Sequence, residues 1–141
     1  MVRHMNRKKN LKRQGVALLE FAIILPLLLL LTFGLIEYSW MFLKSQQITN
    51  AARQGARVGA RPDAVNATVE IEVDRVLNNA GILDGEYTLA IVPGDVTTPE
   101  PGEPLTVTVT VPYANIALTG VPFLPAPENL RAETTLAKEG P

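Results

Sequence analysis

From Phe21 to Ile36 the chain runs "FAIILPLLLLLTFGLI" without a single charge. Apolar residues extend this run back to Val16 and forward through Trp40, Phe42 and Leu43, interrupted only by Glu20 and Glu37 as charges. A bilayer core of about 30 Å takes about 20 helical residues, so Val16 to Leu43, about 42 Å of helix, crosses it with length to spare. Pro26 is tolerable inside such a helix, because a local kink or a neighbouring helix makes good its lost hydrogen bond. Tyr38, Trp40 and Phe42 are expected to form an interfacial aromatic belt, with Lys44 just outside it. A secretory signal peptide has a shorter apolar core followed by a small-x-small cleavage site. This run is too long and no such site follows, so the segment is expected to stay attached.

Charge is divided just as sharply. Residues 1 to 15 hold Arg3, Arg7, Lys8, Lys9, Lys12 and Arg13 with no acid, whereas the remainder holds seven bases against fourteen acids. A basic run abutting a span fixes topology, since Lys and Arg are retained on the cytoplasmic side. The N-terminus is therefore expected inside and residues 45 to 141 across the membrane, and no nucleic-acid partner is expected. With 141 residues there is room for an anchor and one modest domain. The absence of cysteine removes disulfides, thiolate metal sites and thiol nucleophiles.

Glu20 is the anomaly. A carboxylate this deep in hydrocarbon costs about 3 kcal/mol even on lenient insertion scales, so a charge here marks function by default. One bland reading has Glu20 snorkelling back to the headgroups beside Lys12 and Arg13. Its surroundings suggest another. Gly15 closes the basic head, and Val16-Ala17-Leu18-Leu19-Glu20-Phe21 opens the span. Basic leader, glycine, four apolar residues and Glu-Phe together resemble the class III signal of type IV pilins and pseudopilins, which prepilin peptidases cut just after the glycine. The longer stretches "EFAIILPLLLLLTFGLIEYSWMF" and "ITNAARQGARVGA" are similar to the TadE-like pseudopilins of tight-adherence (Flp/Tad) pilus systems. In that family a Glu with an aromatic after it, a nearby Pro, a second Glu late in the span and an Ala/Arg/Gly-rich continuation recur together. The likeness is close from Gly15 to about Ala60 and loose beyond.

The resemblance implies that Gly15 is the last leader residue, Val16 the new N-terminus, and Glu20 with Phe21 the prepilin motif. It also implies that Glu20 pairs with the free α-amino group of a neighbouring subunit. The implied partners are a prepilin peptidase, other pilins and pseudopilins of the same system, the inner-membrane assembly platform and membrane lipid. The implied location is the bacterial inner (cytoplasmic) membrane as a single-pass protein, or an extracellular pilus built from it. Electrostatics agrees with the pairing: an ammonium and a carboxylate attract far more strongly in low dielectric than in water, and a buried pair sets register between subunits.

Beyond Lys44 the pattern stays helical but milder. Ile48, Ala51, Ala52, Gly55, Ala56 and Gly59 form a face of mostly small residues, and Arg53, Arg57 and Arg61 form a basic stripe. Arg53 and Arg57, with Glu37, are candidate intersubunit contacts. A solvated face explains the stripe as simply, and hydration at the far interface explains Glu37. Pro62-Asp63 resets the chain. Residues 64 to 80 fit strand alternation and a helical face at once; helix is preferred for length and for the C-cap in Asn78-Asn79-Ala80-Gly81. Strands are expected at Tyr87–Val92, Leu105–Tyr113 with its "TVTVTV", and Leu130–Lys138, with Pro93–Pro104 as a hairpin loop. Val121, Phe123 and Leu124 are expected to cover a sheet edge or meet a neighbour.

The expected fold class is α+β. A long N-terminal transmembrane helix continues into an amphipathic helix, followed by a small extracytoplasmic head of a second helix and a roughly three-stranded antiparallel sheet. The expected division is a basic leader (1–15), a transmembrane helix (16–43), an amphipathic extension (44–61) and an α+β head (62–141). No catalytic site, cofactor or metal site is expected: His4, the only histidine, lies in the basic head, and no phosphate cradle, nucleophile set or ligand cluster is visible. Asn66-Ala67-Thr68 matches a glycosylation sequon, a pattern common by chance. The chain thus resembles a minor pseudopilin, an enzyme's substrate rather than an enzyme. Two alternatives remain, an uncleaved single-span protein whose exported head binds a surface partner and an anchored enzyme with a carboxylate site.

Overall fold

A computed structural model of the chain describes residues 5–120 and 125–140, with side chains from Gly15 onward. Val121, Phe123 and Leu124 lie outside the described residues, as do Arg3, His4 and the side chains of the other leader bases. The chain forms two compact units, one ending at Tyr38 and one beginning at Ser39.

The first unit is entirely helix. It is part of α1, Met5–Gly59, which is rich in good helix formers and contains Pro26. The helix stops where Pro62, lacking an N–H, disfavours helical geometry at Arg61.

The second unit holds the remainder of α1 and the elements α2 (Asn66–Asn79), β1 (Thr88–Val92), β2 (Pro104–Pro112), α3 (Tyr113–Ile116) and β3 (Asn129–Ala137). The segment with two sequence patterns is a helix. At its start the Thr68 hydroxyl accepts the Val65 N–H at 3.2 Å, the half of a capping box open to an apolar N-cap residue. At its end Gly81 takes a φ of +70°, Ile82 N–H reaches Leu77 O at 2.9 Å and Gly81 N–H reaches Asn78 O at 3.0 Å. This is a Schellman stop, and its usual apolar contact is present because Leu77 and Ile82 are both fully buried.

The three strands form one antiparallel sheet in the order β1-β2-β3. In β2, Leu105, Val107, Val109 and Val111 are fully buried and alternate with threonines, as period-2 geometry requires. Thr106 opposes Thr135, and their hydroxyls share a hydrogen bond at 2.8 Å on the other face. Pro104 and Pro112 mark the strand's ends, where proline costs no ladder bond. The expected strands are all present, each within a residue of its anticipated bounds. The four-residue α3 after β2 had no signal in the sequence.

One core joins these elements. Val69, Val73 and Leu77 of α2 and the apolar side of β2 pack with Ile48, Ala51, Ala52 and Ala56 of α1. The small-residue face of α1 is what lets the backbones approach. A Cβ at Gly55 would lie 2.6 Å from Val73 Cγ2 and 3.3 Å from Val107 Cγ1, and one at Gly59 would lie 2.7 Å from Leu105 Cδ2. Val73 is β-branched and cannot swing aside cheaply. Gly55→Val should therefore destabilise the head by about 1–3 kcal/mol through overpacking. Denaturant unfolding of the detergent-solubilised chain measures it; an unchanged midpoint would mean that the core is looser there.

Candidate functional site

From Gly15 to Tyr38 the helix is apolar on all sides. An 18-residue window with mean hydropathy 2.6 has no residue buried within the protein. Val16, Leu19, Phe21, Ile23, Phe33 and Leu35 are all exposed. Such a helix belongs in lipid or among other apolar helices. Glu20 is exposed in this setting and makes no hydrogen bond or ion pair among the described residues. Gly15 is unusual in the opposite way. A Cβ built there meets nothing within 4 Å, and the residue is helical rather than left-handed. Neither packing nor backbone conformation calls for glycine, which in a helix interior costs about 1 kcal/mol relative to alanine. Glu37, by contrast, is 5% exposed and is engaged within the chain.

The aromatic belt needs revision. Trp40 is partly buried, and its indole N–H donates to Ile116 O of α3 at 2.7 Å. Lys44 is buried, its ammonium 4.8 Å from the centroid of the Trp40 ring and hydrogen-bonded to Ala80 O at the C-terminus of α2. Both residues are folded into the head instead of anchoring at an interface; only Tyr38 and Phe42 remain exposed. Val16 to Ser39 still provides about 36 Å of helix, more than a bilayer core requires.

A second buried lysine works at the other end. Lys138, directly after β3, donates to Gly59 O at 3.0 Å and Arg61 O at 2.8 Å, closing the end of α1, while Glu139 N–H reaches Ala60 O at 2.7 Å. Each lysine thus places a positive charge where the helix dipole is negative and carbonyls lack intrahelical donors. Sequence reasoning missed both, because nothing local tells a capping lysine from a solvated one.

Arg53 and Arg57 lie exposed on α1 and make no hydrogen bond or ion pair among the described residues. On α2, Glu72 pairs with Arg75 at 2.6 Å, and this bond holds its carboxyl below the usual range. Glu70 and Asp74 face a groove beside β1. Asp74 accepts the Tyr87 hydroxyl there, and burial together with that bond pushes the Tyr87 phenol well up. Among the described residues no group of acids and histidines is arranged to hold a metal ion. Asn66 of the sequon is occupied, donating to Gly94 O at 2.8 Å and accepting Val96 N–H at 2.9 Å.

Residues 15–57 match the family model described as TadE-like protein. This stretch is similar to TadE-like proteins. The match begins at Gly15 and ends at Arg57, so it takes in the apolar helix and most of the head-bound part of α1. The capped α2 and the sheet lie outside it. No curated protein and no solved structure matches the chain. The likeness points towards the Tad pilus systems, and the one helix among the described residues that is long and apolar enough to cross a membrane falls within the matched stretch.

Two outcomes follow for the head. Lys138→Met, which keeps the stem and removes the donors, should cost about 1–3 kcal/mol of head stability by orphaning buried carbonyls. Differential scanning calorimetry on the solubilised chain would show it as a lowered Tm, and an unchanged Tm would mean that water replaces the ammonium without loss. Tyr87 gives a pH signature. Its folded pKa lies above the unfolded value of about 10, so its contribution is complete below pH 10 and is lost as pH rises through the folded pKa. The decline in stability above pH 10 should be shallower in Tyr87→Phe, and identical slopes in the two chains would refute the linkage.

Proposed function

We propose that this protein is a minor pseudopilin of a Tad pilus. It is inserted with its N-terminus in the cytoplasm of a bacterial inner membrane, cut by a prepilin peptidase between Gly15 and Val16, and drawn into pilus assembly that serves adhesion and biofilm formation. The observation that carries this reading is Gly15. Cleavage chemistry supplies the reason for glycine that the fold does not, and the TadE-like match starts at the same residue.

Cutting there creates an ammonium at Val16, one helical turn from Glu20. Both groups are costly in hydrocarbon when alone, and each meets the other's need when helices of neighbouring subunits pack side by side. Lipid offers no hydrophobic drive for helices to associate, so packing and this polar pairing must hold them together. The buried Glu37 has partners of its own and is a weaker candidate for a contact between subunits.

Intact-mass and terminal-peptide mass spectrometry of the protein from its native membranes tests the proposal. The expected N-terminus is Val16. Gly15→Leu, which the open surroundings accommodate, should retain the leader without loss of insertion. A wild-type chain still beginning at Met1 would leave an ordinary anchored protein. Glu20→Ala should insert and be processed normally yet assemble poorly, and normal piliation in that variant would remove the ion-pair argument.

A further inference from the structure

Four of the seven bases beyond Gly15 are bonded within the chain. Lys44 and Lys138 are buried on carbonyls, Arg75 and Arg131 are paired with Glu72 and Glu133, and Arg61 acts at longer range on Glu72. Arg53 and Arg57, four residues apart on the exposed side of α1, have neither a bond nor a charge partner among the described residues. The acids show the complementary pattern. Glu70 and Asp74, also four residues apart, line a groove of about 440 Å³ with Asp84, Tyr87, Leu89 and Ile91. Glu70 and Asp84 are exposed and make no hydrogen bond or ion pair among the described residues.

The two sets cannot meet within one chain. Arg75, Val76 and Asn79 line the α1 side of α2, whereas Glu70 and Asp74 face β1, about half a helical turn away. We infer that the Arg53/Arg57 face of one copy docks on the Glu70/Asp84 groove of a second copy. Charge complementarity favours it: two exposed arginines without a bond, about 6 Å apart along α1, face on the other copy a groove rimmed by two exposed acids without a bond, Glu70 and Asp84. A patch that binds a different patch on an identical copy makes a heterologous contact, which does not close on itself as a twofold dimer does and propagates into a filament unless the rotation closes a ring. Exposed pairs are weak singly and screened by salt, so this contact orients subunits that the apolar helices hold together. It deepens the pilus reading above and rests on copies meeting in an assembly.

The chain has no cysteine, which makes cross-linking clean. Two differently tagged full-length copies are produced in one membrane, one with Arg57→Cys and the other with Glu70→Cys. They are treated with a short bis-maleimide, because an Arg–Glu pair holds its Cβ atoms further apart than the roughly 4 Å of a disulfide. The expected product links the two tags. Its yield should fall about tenfold when Arg53→Glu is added to the first copy, the loss expected on turning a charge pair repulsive. Adding Asp84→Lys to the second copy should restore it. No product, a product insensitive to the charge reversal, or equal linking of Arg57→Cys copies to one another would each overturn the proposal. These side chains carry no bond in the fold, and an unchanged Tm confirms that each variant is folded. The mass of the same sample reports the leader: Val16 at the N-terminus without a cross-link removes the docking alone, and a cross-link on uncut chains removes the pseudopilin reading alone.

Discussion

The close approach of α1 to α2 and β2 is the constraint on which the head depends. Its core has few large side chains on the α1 side; alanines and two glycines replace them, and the valines of α2 and β2 fill the space right up to the helix backbone. Dispersion falls steeply with distance, so the gain comes only if the backbones come this near. That requirement also explains the composition after Lys44. A stretch so rich in Ala and Gly would be a poor core element anywhere that called for bulk.

Both ends of that contact are closed by lysines brought from elsewhere. Lys44 on α1 reaches the end of α2, and Lys138 after β3 reaches the end of α1. Each tie joins elements far apart in sequence, and each places an ammonium where helix carbonyls need donors. Trp40 adds a third tie through Ile116. The head therefore grips α1 from Trp40 to its last turn, while the helix before Ser39 presents apolar side chains almost throughout.

The proposed pseudopilin role would have this subunit held by lipid first and by neighbours later. An apolar helix with a single exposed carboxylate is stable in a membrane only at a cost, and a packed helical array that supplies an amine relieves it. The charge distribution on the head fits the same logic, with unbonded arginines on one flank and unbonded acids on the other.

Much of this was legible in the sequence. Sixteen uncharged residues within a longer apolar run mark a helix long and apolar enough to cross a membrane. Period-2 alternation in "TVTVTV" and Gly81 after a valine face determine β2 and the end of α2, since strand pleat and left-handed backbone are local demands. Gly15 and Glu20 stand out in the sequence as the basis of the proposed processing motif. What the tertiary structure alone decided was the work of particular side chains: Trp40 and Lys44 in the head instead of at an interface, Lys138 on the end of α1, Glu37 buried, and Glu70 on the opposite side of α2 from its neighbour Glu72. Periodicity records which face is buried but not what covers it, and long-range pairing between a lysine and a helix end leaves no local trace.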